Sequence, residues 1–247
     1  MPFWFRLCFA LALGALAAAQ PAAASDFTPD QRKEIEAIVG DYLKNHPEAL
    51  IDAIQAADDK MKADEKDKAQ QALAAHRQAV FDDPQSPVGG NPKGDVTLVE
   101  FFDYRCPYCK QVEPTLEKLI CDDRQLRFVY KEFPVLGPDS EVAARVALAA
   151  RRQGKYEAFH RAMMLTAGHI DEATIFKVAG SVGLDVERVR QDMKSPEVEK
   201  ELKANLDLGK QLDLEGTPSF IVGDTIVPGA ISGDALKDLV ASARQKR

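Results

Sequence analysis

The decapeptide Phe101-Phe102-Asp103-Tyr104-Arg105-Cys106-Pro107-Tyr108-Cys109-Lys110 joins two kinds of secondary structure at a pair of thiols. Before it, Val96-Thr97-Leu98-Val99-Glu100-Phe101-Phe102 is rich in β-formers and reads as a buried strand running straight into the C-x-x-C. After it, Val112, Leu116, Leu119 and Ile120 recur at helical spacing. The two cysteines therefore open a helix. A cysteine at a helix N-terminus faces unpaired backbone N–H groups and the positive end of the macrodipole, which favours its thiolate. Cys106 holds that position. Pro107, with no N–H to lose, suits the first turn. Cys109 lies one turn on, within reach of a mixed disulfide formed at Cys106. Cys106 is thus expected to attack and Cys109 to resolve.

Half of a zinc site also looks like C-x-x-C, so the rest of the chain decides. Zinc asks for two more ligands at regular spacing. The chain offers only isolated Cys121, His46, His76, His160 and His169. No metal is expected.

Further out, Leu126 to Glu132 reads as a second strand, and Asp139 to about Leu214 as a helical block broken at Gly154, Gly168, Gly183 and Ser195-Pro196. Ser219 to Val222 and Thr225 to Val227 form a hairpin around Gly223-Asp224, and residues 233–245 a final helix. Strand, helix, strand, helical block, strand, strand, helix is an α/β order. It is the thioredoxin order with helices inserted at about 139–214.

Upstream, the Pro- and Gly-rich stretch from Asp82 to Asp95 reads as a loop and places the domain boundary at residue 82. Residues 25–81 look helical, with Ile35, Ile38, Val39, Tyr42 and Leu43 in one stripe and Leu50, Ile51 and Ile54 in another beyond the His46-Pro47 break. A segment this short rarely buries such stripes by itself, so an oligomerising role is expected. From Ala56 to Gln71 the sequence is almost wholly polar and mixed in sign, a solvated helix or a hinge. At the start, Arg6 followed by an apolar run from Leu7 to Ala19 is too short for the roughly 20 residues of a membrane span. It reads as a signal peptide cleaved after Ala22-Ala23-Ala24, which directs the chain to the periplasm.

With 39 acidic and 32 basic residues the formal charge is −7, and −8 once Arg6 is removed. This balance argues against nucleic acid as a partner. Of the four cysteines, Cys8 leaves with the signal, so Cys106, Cys109 and Cys121 remain in an oxidising compartment. Three thiols, two of them in one motif, serve chemistry and not stapling.

The active-site decapeptide resembles that of the DsbA-like family of periplasmic disulfide oxidoreductases, and Gly216-Thr217-Pro218-Ser219-Phe220 resembles that family's cis-proline loop. Tyr42-Leu43 and His46-Pro47-Glu48 are similar to the oligomerising arms of its ScsC-like and Com1-like branch. The resemblance implies a cis Thr217-Pro218 bond, where a blind expectation would be trans. It also implies a substrate peptide paired against Thr217. Glu100 matches a buried acid near the thiols that relays the proton of Cys109, although an exposed edge glutamate fits the pattern too. Glu113 matches a second acidic position but reads equally well as a solvated helix charge. Cys121 is expected in the core, as are Met163 and Met164, with His160 structural.

These readings converge on a thiol-disulfide oxidoreductase with a Cys106–Cys109 redox pair and no other cofactor. Thr217 together with Pro107-Tyr108 resembles isomerase-type sites, and the arms favour an oligomeric isomerase or reductase, dimer or trimer. Its expected partners are unfolded or misoxidised secreted proteins and a membrane redox protein. A monomeric disulfide oxidase is the alternative. So is a copper-binding or copper-protection protein, since C-x-x-C thiolates take Cu(I) well.

Overall fold

A computed structural model describes residues 27–246, so the expected signal peptide lies outside the described residues. The chain divides into two units between Lys60 and Met61. In the first, helix α1 (Pro29–Asn45) is opened by a capping box in which Thr28 and Gln31 satisfy each other's backbone N–H. Helix α2 (Pro47–Ala75) follows directly, its first proline occupying a position where an N–H would go unused. No residue of α1 is buried, and its apolar stripe, with that of early α2, faces solvent.

The second unit starts earlier than Asp82. The end of α2 contributes Leu73, and helix α3 (Arg77–Phe81) contributes Val80 and Phe81, to a cluster with Val99, Phe101, Val129, Phe133, Leu208, Leu212 and Ile221. These anchors carry little signal in sequence because Leu73 sits among alanines and Val80-Phe81 is a lone apolar pair before two aspartates. The stretch read as a loop also holds a short strand, β1 (Val88–Gly90), whose two glycines carry no β-forming signal.

The remaining strands are β2 (Val96–Phe102), β3 (Leu126–Glu132), β4 (Ser219–Val222) and β5 (Thr225–Pro228), in the order β1-β3-β2-β4-β5. Only β2 and β3 run parallel, joined by helix α4 (Pro107–Asp122). Strand alternation sends Val99 and Phe101 to the α3 face and Leu98, Glu100 and Phe102 to the other. That second face packs α4, the C-terminal helix α10 (Gly233–Gln245) and the helical insert.

The insert comprises α5 (Pro138–Arg151), α6 (Tyr156–Met164), α7 (Glu172–Ser181), α8 (Val186–Asp192) and α9 (Pro196–Gln211). Its breaks fall where the glycines demanded them. Gly154, Gly168 and Gly183 sit in the left-handed region at φ +67°, +81° and +74°. Asp171, Asp185 and Ser195 cap the helices that follow.

Candidate active site

Central strand β2 carries the chain to Asp103, where a tight turn redirects it into α4. Asp103 is 1% exposed, and its carboxylate accepts the N–H groups of Arg105 at 2.8 Å, Val135 at 2.9 Å and Leu136 at 3.0 Å. The Arg105 guanidinium donates back to the Leu136 carbonyl at 2.9 Å. The turn before the thiols is thereby clamped to the loop after β3. Sequence reasoning passed over Asp103; an Asp opening a turn two residues before an N–H it can bind was the available signal.

Cys106 is the N-cap of α4, with Pro107 in the first turn, as its position in the motif demanded. The thiol donates to the Thr217 carbonyl at 3.1 Å. Hydrogen bonding from the Cys109 thiol, and then from the Thr217 side chain and the backbone N–H groups of Cys109 and Tyr108, outweighs burial and holds Cys106 down at about 5. Cys109 moves the other way. Burial, its hydrogen bond to Cys106 and the nearby Glu100 charge push its thiol well up. The surroundings thus favour the thiolate at one sulfur and the protonated thiol at its neighbour.

Glu100 is fully buried, and neither carboxylate oxygen has a hydrogen-bond partner among the described residues. Desolvation, followed by the charges of Glu113, Cys106 and Glu132, raises its pKa well above the usual carboxylate range. The Thr217-Pro218 bond is cis, and the Pro218 carbonyl accepts the Gly229 N–H at 2.8 Å. Cys106, Cys109, Glu100, Thr217 and Pro218 are therefore brought together, with Pro107 in the helix and Tyr108 exposed beside the nucleophile. Lys110 is drawn into the same region, donating to the carbonyls of Met163 at 2.8 Å and Thr166 at 2.6 Å at the end of α6.

One expectation needs correction, and one reading left open is decided. Cys121 is exposed, not core. The inner stripe of α4 is Cys109, Val112, Leu116 and Leu119, and Cys121, two residues past Leu119, points away. Glu113, by contrast, is buried, because it lies four residues after Cys109 on that same side. Its Oε1 is 3.4 Å from Nε2 of His160. His160 is in the core, ringed by Phe102, Tyr104, Tyr130 and Tyr156, and Met163 and Met164 are buried beside it. Among the described residues, no group of three or more His, Cys, Asp or Glu side chains is arranged to hold a metal ion.

A low-pKa thiol at a helix N-terminus, a second thiol one turn on and a cis-proline loop beside them suit thiol-disulfide exchange, and known proteins resemble the chain. Residues 97–241 match the DSBA-like thioredoxin domain, and residues 31–63 match the copper resistance protein ScsC N-terminal domain. A thioredoxin-like oxidoreductase from Silicibacter pomeroyi is 48% identical, with a TM-score of 0.67 over 68% of this chain and 98% of that one. ScsC of Proteus mirabilis in a transitional conformation is 32% identical, with a TM-score of 0.66 over 90% of this chain and all of that one (100%). The Na(+)/H(+) antiporter NhaA 1 of Salinispora arenicola is 30% identical over 158 residues, 63% of this chain. The match covers only 24% of the antiporter's length. From its active-site geometry and these similarities together, the chain belongs to the DsbA-like thioredoxin-domain family of thiol-disulfide oxidoreductases.

Proposed function

We propose that the chain is a periplasmic protein-disulfide isomerase or reductase that works as a homo-oligomer. The observation that carries this reading is an exchange site on a chain whose N-terminal arm leaves Ile38, Val39, Tyr42, Ile51 and Ile54 at least half exposed. Apolar stripes of that kind call for a partner surface. The arm's likeness to oligomerising segments makes a second copy of the chain the natural cover. Export follows from the leader read in residues 1–24.

In the proposed reaction the Cys106 thiolate attacks a substrate disulfide. One substrate sulfur joins Cys106 in a mixed disulfide, and the other leaves as a thiolate carrying the electron pair. That thiolate can attack a different disulfide of the same substrate, and the thiolate released there attacks the substrate sulfur held on Cys106, which breaks the mixed disulfide, returns the Cys106 thiolate and completes isomerisation. Otherwise Cys109 gives its proton to Glu100 and attacks Cys106, so that the substrate leaves reduced and the Cys106–Cys109 disulfide forms. A membrane redox partner then returns two electrons to the pair. The substrate peptide lies along Thr217, whose carbonyl already reaches the Cys106 sulfur.

Refolding of scrambled ribonuclease, run beside oxidation of reduced ribonuclease and light scattering on the exported protein, tests the reading. Isomerisation outpacing oxidation in an oligomer is the expected result. A monomer that oxidises faster than it isomerises would establish the oxidase instead.

A further inference from the structure

Three polar side chains, each more than nine-tenths buried, meet on the far side of α4 from the substrate loop. Glu113 is 4% exposed, His160 2% and Tyr130 7%. Among the described residues, no hydrogen bond engages His160 Nε2, the Glu113 carboxylate or the Tyr130 hydroxyl. Buried polar groups are seldom left in that condition without a ligand to satisfy them. Tyr104 fixes the imidazole between them. Its Oη donates to Glu132 Oε1 at 3.0 Å and lies 3.2 Å from Nδ1 of His160, so the ring hydrogen sits on Nδ1 and Nε2 keeps a lone pair. That lone pair faces Glu113 Oε1 at 3.4 Å. Two acceptors thus oppose each other, and both call for a donor.

All three line a cleft of about 380 Å³ between α4 and α6. Lys110, early in α4, donates to the Met163 and Thr166 carbonyls at the end of α6, while Glu113 meets His160, so the two helices run in opposite directions. Glu117 and Cys121 follow Glu113 along α4 at four-residue steps of about 6 Å each. Glu157 lies about one turn before His160 on α6. The cleft is therefore elongated, with an acid at its buried end and acids along its rim. Its single cation, Arg161, is already paired to Glu117. Walls of this sign draw cations and turn anions away. A metal ion does not fit, since among the described residues no three ligating side chains are arranged for one. A primary ammonium does. It carries three donors, enough for Glu113, His160 Nε2 and Tyr130 together, and its charge answers the buried carboxylate.

We propose that the α4–α6 cleft binds a primary alkylammonium ligand, its head held by Glu113, His160 Nε2 and Tyr130 and its chain running toward Glu157 and Cys121. A linear diamine uses the whole cleft, because a second ammonium about one helical turn away meets Glu157 at the rim. A lysine side chain of a docked protein carries the same head group. Cys106, Tyr108, Thr217 and Pro218 take no part in the wall. The amine and a disulfide substrate therefore occupy different surfaces, and the site stands apart from the exchange reaction.

Exposed Cys121 stands in the cleft wall and reports occupancy. With Cys106 and Cys109 joined in a disulfide, it is the one free thiol of the exported chain. Saturating butane-1,4-diamine should slow its labelling by a bulky maleimide roughly fivefold or more, by mass action on the cleft. Butane-1,4-diol, which has the chain without the charge, and sodium chloride at equal ionic strength should leave the labelling rate unchanged. Glu113→Gln should raise the half-saturating diamine concentration roughly tenfold or more, because it removes the buried partner of the charge. Tyr130→Phe, which keeps the ring, should raise it roughly threefold and decides the matter if Glu113→Gln does not fold. Glu157→Gln should weaken the diamine but not butylamine, which has no second ammonium. A short lysine-containing peptide is the other arm. Half-saturation by the peptide at a lower concentration than by the diamine assigns the head group to a partner protein's lysine, and the reverse order assigns a free amine. Labelling that neither amine slows, slowing that sodium chloride matches, or protection undiminished in both Glu113→Gln and Tyr130→Phe overturns the site.

Discussion

Cys106→Ala is expected to reduce turnover of a protein disulfide by roughly a thousandfold or more, while Cys109→Ala leaves the first attack intact and arrests the reaction at the mixed disulfide. The asymmetry follows from the two sulfurs' surroundings. Cys106 meets the N-terminus of α4 and the hydrogen bonds that hold it at about 5, so it is a thiolate at neutral pH. Cys109 is buried and its thiol is pushed well up, so it cannot take over the attack when Cys106 is gone. In Cys109→Ala the adduct persists, and non-reducing electrophoresis of protein purified after export should show disulfide-linked substrates. A second change accompanies it. The Cys109 thiol contributes the largest share of the lowering at Cys106, so its loss should move the Cys106 titration upward from about 5. Comparable activity in the two variants would contradict the assignment of roles.

Removing residues 25–60 is expected to give a folded monomer that still exchanges with a small disulfide but isomerises scrambled ribonuclease at least roughly tenfold more slowly. In the proposed oligomer a neighbouring site would recapture a released substrate at about millimolar effective concentration, an advantage that a lone site lacks. The cut must stop there. Extending it to residue 81 removes Leu73, Val80 and Phe81, which are buried against Val99, Phe101 and Val129. Each large apolar side chain lost from a core costs about 2–5 kcal/mol, so three together rival the whole 5–15 kcal/mol stability of a typical domain. The longer deletion should therefore fail to fold, as circular dichroism and urea unfolding will show. Light scattering that finds the shorter form still oligomeric, or full isomerase activity in it, would mean that the arms drive neither assembly nor isomerisation.

The C-x-x-C at a strand-to-helix junction and the glycine-broken helical block were legible because each is a local pattern with a local cause. The α4 stripe could be read as far as Leu119. Cys121 is exposed because its angle on α4, two residues past Leu119, outweighs a cysteine's tendency to be buried. Glu113 was left undecided because charge suggested solvent while its spacing from Cys109 pointed inward. The boundary at Asp82 failed for a different reason. Leu73 and the Val80-Phe81 pair have their partners far along the chain, on β2, β3 and α9. Strand β1 is glycine-rich and owes its extended form to pairing with β3, so little within it announces a strand. Asp103 shows the same limit at the site, since two of the three N–H groups it binds belong to a loop some thirty residues away.

Exchange at this site depends most on Cys106 being a thiolate under working conditions, and the pH dependence of its alkylation measures that directly. With the pair reduced and Cys121 replaced by serine, the rate of iodoacetamide labelling at Cys106 should follow the thiolate fraction. Because the titration is lowered from the ordinary 9.0 to about 5, that fraction is full at pH 7, and labelling is lost only as the pH falls through 5. A labelling rate level from pH 8 down to pH 6 and halved near pH 5 is the predicted result; a rate still climbing between pH 7 and 9 would contradict it.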